Sequence, residues 1–155
     1  MNKLPVSRYC FVCGRENPSG LHTEFFSPAP GEVETRVNLS KEFEGFPGII
    51  HGGVISALLD EIAGRSQQTL VDRFMVTAQL DIRFRKPVLV DHPYLVRGIA
   101  GSIVGRVSKA RAMILDEDGS VMAEANGVFV DLKQEQVESM QDIADYWRVY
   151  PDEEA

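Results

Sequence analysis

The chain has 155 residues but only two cysteines and one tryptophan, no excess of basic charge, and no long unbroken apolar run. Each shortage removes a class of protein. Two cysteines three positions apart, Cys10 and Cys13, are no disulfide framework, so the fold must rest on a hydrophobic core. A net charge of −7 and a pI of about 5.0 set the overall field against a polyanion, and nucleic acid is not expected as a partner. Charged residues interrupt every apolar stretch well before the roughly 18 residues that a membrane-spanning helix needs. The opening Met1-Asn2-Lys3-Leu4-Pro5 has no apolar h-region of a secretory signal, which makes the cytoplasm the expected compartment. A hydrophobic share of 44% with 25% charged residues is that of an ordinary globular domain.

Turn residues divide the chain. Residues 1–20, punctuated by Pro5, Gly14, Asn17-Pro18 and Gly20, read as a turn-rich opening segment. Strands are expected at Leu21–Phe26 and Glu32–Leu39, then a loop from Lys41 to Ile50. From Gly52 to Leu70 the apolar residues Ile55, Leu58, Leu59 and Ile62 recur at helical spacing and define one core face. Residues 76–85 alternate: Val76, Ala78, Leu80, Ile82 and Phe84 fall on one side of a strand, with Thr77, Gln79, Asp81, Arg83 and Arg85 on the other. Further strands are expected at Tyr94–Val104, Arg106–Leu115 and Ser120–Leu132, the last preceded by the turn Asp116-Glu117-Asp118-Gly119. Val137, Met140, Ile143 and Trp147 predict a short closing helix within a tail at 133–155. One apolar helix among strands joined by short turns implies an α+β fold with an antiparallel sheet over residues 21–132.

Gly52 and Gly53 are poor helix formers, costing roughly 1–2 kcal/mol together relative to alanine. They ease the turn out of Pro47-Gly48; equally, they let a ligand approach the unpaired amides of the first helical turn, where an oxyanion is stabilised. Asp60 adds to the second reading. Its neighbours on the helix surface are Gly53, Ser56, Ala57 and Gly64, small residues around one carboxylate with no basic partner at i±3 or i±4. Glu61, by contrast, has Arg65 four residues on and reads as half of a helix ion pair. Gly53 and Asp60 are separated by roughly 10 Å of helix axis. A reacting carbonyl must lie about 3 Å from both oxyanion donors and attacking group. Two helices antiparallel across a two-fold axis satisfy this; one helix does not, so a catalytic site here requires at least a dimer.

The segment Phe46-Pro47-Gly48-Ile49-Ile50-His51-Gly52-Gly53-Val54, followed by Ala57-Leu58-Leu59-Asp60, resembles the PaaI-like branch of the hotdog acyl-CoA thioesterases. The similarity runs on through Thr77-Ala78-Gln79-Leu80, Arg83 to Pro87, Gly105-Arg106 and Asp118-Gly119, and from Ala123 to Phe129; Cys10-Phe11-Val12-Cys13-Gly14 with Asn17-Pro18 is also similar. This resemblance, spanning about residues 10–132, implies a curved antiparallel sheet wrapped around one long helix, paired subunits (a dimer or a dimer of dimers) and hydrolysis of an acyl-CoA thioester without a cofactor. By position it assigns the acid to Asp60 and the oxyanion-hole glycine to Gly52 or Gly53, with His51 beside them and Thr77 as the hydroxyl that some relatives use. Two features depart from the pattern. Gly45 stands where several members carry an asparagine, and strand alternation turns Thr77 away from the apolar face.

Coenzyme A phosphates need cations, and Arg83, Arg85 and Lys86 form one group, Arg106, Lys109 and Arg111 another. A solvated sheet face carries the same alternation; Arg106, after a family-like glycine, is the strongest single candidate. Cys10 and Cys13 resemble half a zinc knuckle without a second cysteine pair, so they are read as a structural turn and no metal site is expected. The competing functions are a non-catalytic acyl-CoA or lipid binder of the same fold and, more distantly, a hotdog dehydratase or hydratase.

Overall fold

A computed structural model describes residues 1–140 and 146–151. The elements run β1 (Asn2–Lys3), β2 (Val6–Ser7), β3 (Phe26–Ala29), β4 (Glu32–Asn38), a 3-10 turn at Lys41–Phe43, α1 (Gly52–Gln68), β5 (Met75–Phe84), β6 (Pro93–Val104), β7 (Val107–Leu115), β8 (Val121–Asp131), α2 (Gln134–Ser139) and β9 (Trp147–Arg148). Among the described residues seven strands form one antiparallel sheet in the order β1-β3-β4-β6-β7-β8-β5. The expected α+β class is correct, and β5 is left as the long unpaired edge.

Helix α1 packs on one face of this sheet, chiefly against β6, β7 and β8. Ile55, Leu58, Leu59 and Ile62, the face read from the periodicity, are all buried in one core with Val33, Val96, Ala112, Ile114 and Ala125. The contact is close enough to dictate a residue: a Cβ at Gly98 would stand 2.3 Å from the carbonyl oxygen of Ile62. Polar side chains share this interior, Gln67 the largest of those fully buried. Gln67 is fully buried and donates through Nε2 to the carbonyl oxygens of Lys109 and, at 3.3 Å, of Gly101, where the β6–β7 register shifts between Ala100 and Ile103.

Two expectations at the chain ends are corrected. Leu21–Phe26 is not the first sheet strand: the amides of Leu21 and Thr23 donate to the carbonyls of Phe11 and Val12, tying this stretch to the cysteine turn, and the strand starts only at Phe26. Helix α2 spans Gln134–Ser139 and Tyr146 is again helical, but Trp147, expected on the face of the closing helix, lies in a strand paired with Ser7. There its indole packs edge-on against Phe74 and lies under the Arg65 guanidinium, contacts with core elements that outweigh local helix periodicity. Ile143 lies outside the described residues.

Candidate active site

His51 starts α1 as its N-cap, with extended backbone angles, and its ring Nδ1 accepts the amide of Gly53 at 2.8 Å. The neutral ring therefore carries its proton on Nε2. The His51 carbonyl accepts from Val54 and Ile55, so of the first-turn amides that of Gly52 alone has no hydrogen-bond partner among the described residues. Gly52 is exposed, and it forms the floor of a cavity of about 680 Å³ lined also by Gly45, Phe46, His51, Phe84, Arg85 and Lys86. Phe46 and Phe84 project there largely uncovered, 78% and 57% exposed. Gly45 is tight against the histidine, since a Cβ there would lie 3.3 Å from His51 Cα. The His51 ring lies against the same point, its Cδ2 3.4 Å away.

Asp60 sits two turns further along the same helix, in a separate depression of about 280 Å³ with Thr77, Gly64, Met75 and Phe129. The two cavities share no lining residue. Thr77 Oγ1 donates to Asp60 Oδ1 at 2.6 Å. Desolvation raises the Asp60 pKa above the usual 3.8; the Thr77 hydrogen bond opposes this and the Glu61 charge adds to it.

The sequence alternation had turned Thr77 away, and a β-bulge explains the difference. Thr77 pairs with Phe129 and Gln79 with Val128, so Ala78 is an extra residue in β5. The bulge inverts the strand's phase. Met75 and Thr77 face the helix before it, and Leu80, Ile82 and Phe84 face inward after it, while Val76 is 50% exposed. The expected single apolar side from Val76 to Phe84 is thus broken at Ala78.

The basic candidates separate. Arg85 and Lys86 line the cavity at Gly52, with Arg85 also 2.8 Å from Glu124. Arg83, Lys109 and Arg111 occupy the outer sheet face, on positions paired with Glu124, Val128 and Asn126. Arg106 lines neither cavity; its guanidinium donates to the Asp131 carbonyl at 2.7 Å and closes the turn into β7. Glu61 makes the expected pair with Arg65 at 2.9 Å. That guanidinium is 3% exposed and also donates to the Pro5 carbonyl and to Cys13 Sγ. Sequence spacing gave no sign of these contacts across more than fifty residues.

A long helix embraced by one antiparallel sheet, with an unpaired amide at its start and a carboxylate on its exposed side, defines a hotdog-fold protein. Residues 47–123 match the Thioesterase superfamily. The structure of RHA08564, a thioesterase superfamily protein, aligns with a TM-score of 0.75 and 31% identity over 81% of this chain and 64% of that one. A hypothetical thioesterase from Streptococcus pneumoniae TIGR4, solved with coenzyme A, aligns at 0.66 and 20% identity over 72% and 87% of the two chains. A mutant of the phenylacetic acid degradation protein PaaI from Thermus thermophilus aligns at 0.65 and 20% over 72% and 95%. Among sequence relatives, the uncharacterized mitochondrial membrane protein FMP10 of Saccharomyces cerevisiae is 24% identical over 68% of this chain and 45% of its own. The chain spans about half the length of the curated relatives it matches. Over residues 47–123 and in its fold it is similar to the thioesterase superfamily.

Proposed function

We propose that this protein hydrolyses acyl-CoA thioesters to a free acid and coenzyme A, at two equivalent sites built between two copies of the chain. The observation that carries the reading is the division of the site. An unpartnered amide and an apolar cavity lie at one end of α1, and a carboxylate held by a hydroxyl lies two turns away in a different depression. Each half is incomplete alone, and the uncovered edge of β5 beside Thr77 offers a surface for the second copy. Antiparallel helices across a two-fold axis bring Gly52 of one chain opposite Asp60 of the other.

In this arrangement the Gly52 amide polarises the thioester carbonyl and holds its oxygen as negative charge develops. Thr77 occupies Oδ1 of Asp60 and leaves Oδ2 to take a proton from water as the water attacks the carbonyl carbon. Collapse of the tetrahedral intermediate breaks the carbon–sulfur bond, and the proton on Asp60 passes to the departing thiolate. Direct attack by Asp60, giving a mixed anhydride that water then opens, uses the same groups. His51 fixes the loop and the start of the helix by capping Gly53. Arg85 and Lys86 at the cavity rim meet the coenzyme A phosphates, in keeping with the coenzyme bound by the S. pneumoniae thioesterase. The Phe46 and Phe84 rings take the acyl group.

No described helix is long and apolar enough to cross a membrane. A cytoplasmic place is part of this proposal, whereas the yeast relative is named as a mitochondrial membrane protein. The deciding experiment is a panel of aliphatic and aromatic acyl-CoAs scored for free thiol release, with enoyl-CoA hydration in parallel. Thiol release that depends on Asp60 supports hydrolysis. Hydration alone, or binding without turnover, sinks it.

A further inference from the structure

The cysteine turn that sequence spacing read as structural packs against α1 one residue from the candidate acid. Glu61 lies beside both thiols: Cys10 Sγ is 3.7 Å from Oε2 and Cys13 Sγ 3.5 Å from Oε1. The three donor groups all fall within 4.8 Å of one another. With zinc–sulfur bonds near 2.3 Å and zinc–oxygen bonds near 2.0–2.2 Å, a tetrahedral ion separates its ligands by about 3.5–3.8 Å. The observed sulfur–oxygen separations already have those lengths.

The turn itself has the form that presents two sulfurs to one ion. The Val12 amide points at Cys10 Sγ at 3.4 Å, and the Gly14 amide closes the loop onto the Cys10 carbonyl at 2.8 Å. Only glycine fits at position 14, where a Cβ would stand 2.5 Å from the Cys10 nitrogen and 2.6 Å from its carbonyl oxygen.

Charge favours the same occupant. Glu61 and the buried Arg65 cancel as a pair, so with the thiols protonated the cluster is neutral. A divalent cation that displaces both thiol protons to solvent leaves it neutral again, because two thiolates balance two positive charges. Arg65 then serves as the outer partner, donating to Cys13 Sγ at 3.0 Å and to Glu61 Oε1 at 2.9–3.0 Å. Two sulfurs with one carboxylate select a borderline-soft ion of the zinc class over magnesium or calcium.

We propose that Cys10, Cys13 and Glu61 bind one zinc-class divalent cation, clamping the N-terminal segment onto helix α1 directly behind Asp60. Water completes the coordination. His22 is outside the cluster, its Nε2 against the Asn17 carbonyl. The proposal stands apart from the thioesterase reading, since it concerns the stapling of the N-terminal turn and not the reaction.

The test uses the full chain, reduced, stripped with a chelator and titrated with cobalt(II), then with zinc. The expected result is one cobalt per chain, with a sulfur-to-cobalt charge-transfer band and tetrahedral visible bands that zinc abolishes. Cys10→Ser and Glu61→Gln each weaken binding by at least about tenfold, whereas His22→Ala leaves it unchanged. Glu61→Gln strands a buried guanidinium; if that variant fails to fold by circular dichroism, Cys10→Ser at the half-exposed position decides. The proposal is overturned if no sulfur-ligated spectrum develops, or if the spectrum persists unchanged in folded Cys10→Ser.

Discussion

Thr77 and Asp60 are joined by a 2.6 Å hydrogen bond that exists because β5 carries one residue more than its partner strand. Without the bulge at Ala78, regular alternation would point the hydroxyl out of the sheet and leave the carboxylate with no partner on β5. The bond fixes one carboxylate oxygen and frees the other, the division of labour a general base requires.

Replacing Asp60 by asparagine should lower thioester hydrolysis by about 10²–10⁴-fold. Stability should move the other way or not at all. The folded pKa of Asp60 is raised, so its favourable contribution belongs to the protonated form, is complete below the unfolded pKa, and is lost as pH rises through the folded pKa. At neutral pH the ionised group opposes folding, and the neutral amide does not. Thermal denaturation beside the activity assay checks both halves; a large fall in Tm would mean that activity was lost through the fold.

Thr77→Val removes the one contact that lowers the Asp60 pKa and leaves the burial that raises it. The acid limb of the kcat/KM profile should therefore sit above the ordinary aspartate range in the native protein and move to higher pH in the variant. Thr77→Ser should restore it. An unmoved limb in Thr77→Val would show that another group controls it.

Gly52 is the first residue of α1, after a residue of extended backbone, and proline is well tolerated there. Gly52→Pro deletes the unpaired amide without breaking the helix and should cost about 10²–10³-fold in kcat. Co-expression with Asp60→Asn then tests the shared site. A mixed dimer keeps one intact pair, so the mixture should recover about a quarter of wild-type activity from two inactive variants. Failure to recover anything would argue that both groups act within one chain.

Reversing charge at Lys86, which lines the cavity at Gly52, should raise KM for acyl-CoA with little change in kcat. The native KM should itself rise with salt. Arg106→Ala should leave KM alone and reduce stability, because that guanidinium is committed to the Asp131 carbonyl. Steady-state kinetics at two ionic strengths, with melting curves, separates the two roles.

Much of this protein was legible in one dimension. Period-3.6 spacing picked out Ile55, Leu58, Leu59 and Ile62 because a helix against a sheet must bury one stripe, and the i,i+4 rule picked out Glu61 with Arg65. His51, Gly52 and Asp60 stood out because their types and spacing are local properties of one helix. The tertiary structure decided what no local rule contains. It placed a bulge opposite Phe129 that returns Thr77 to Asp60, seated Trp147 on Arg65 in place of a helix, and brought Cys10 and Cys13 against Glu61 across about fifty residues of chain. Local propensity fixes which face a helix buries. Which distant groups meet behind it depends on register and on how the chain ends pack, and those are set only when the whole core closes.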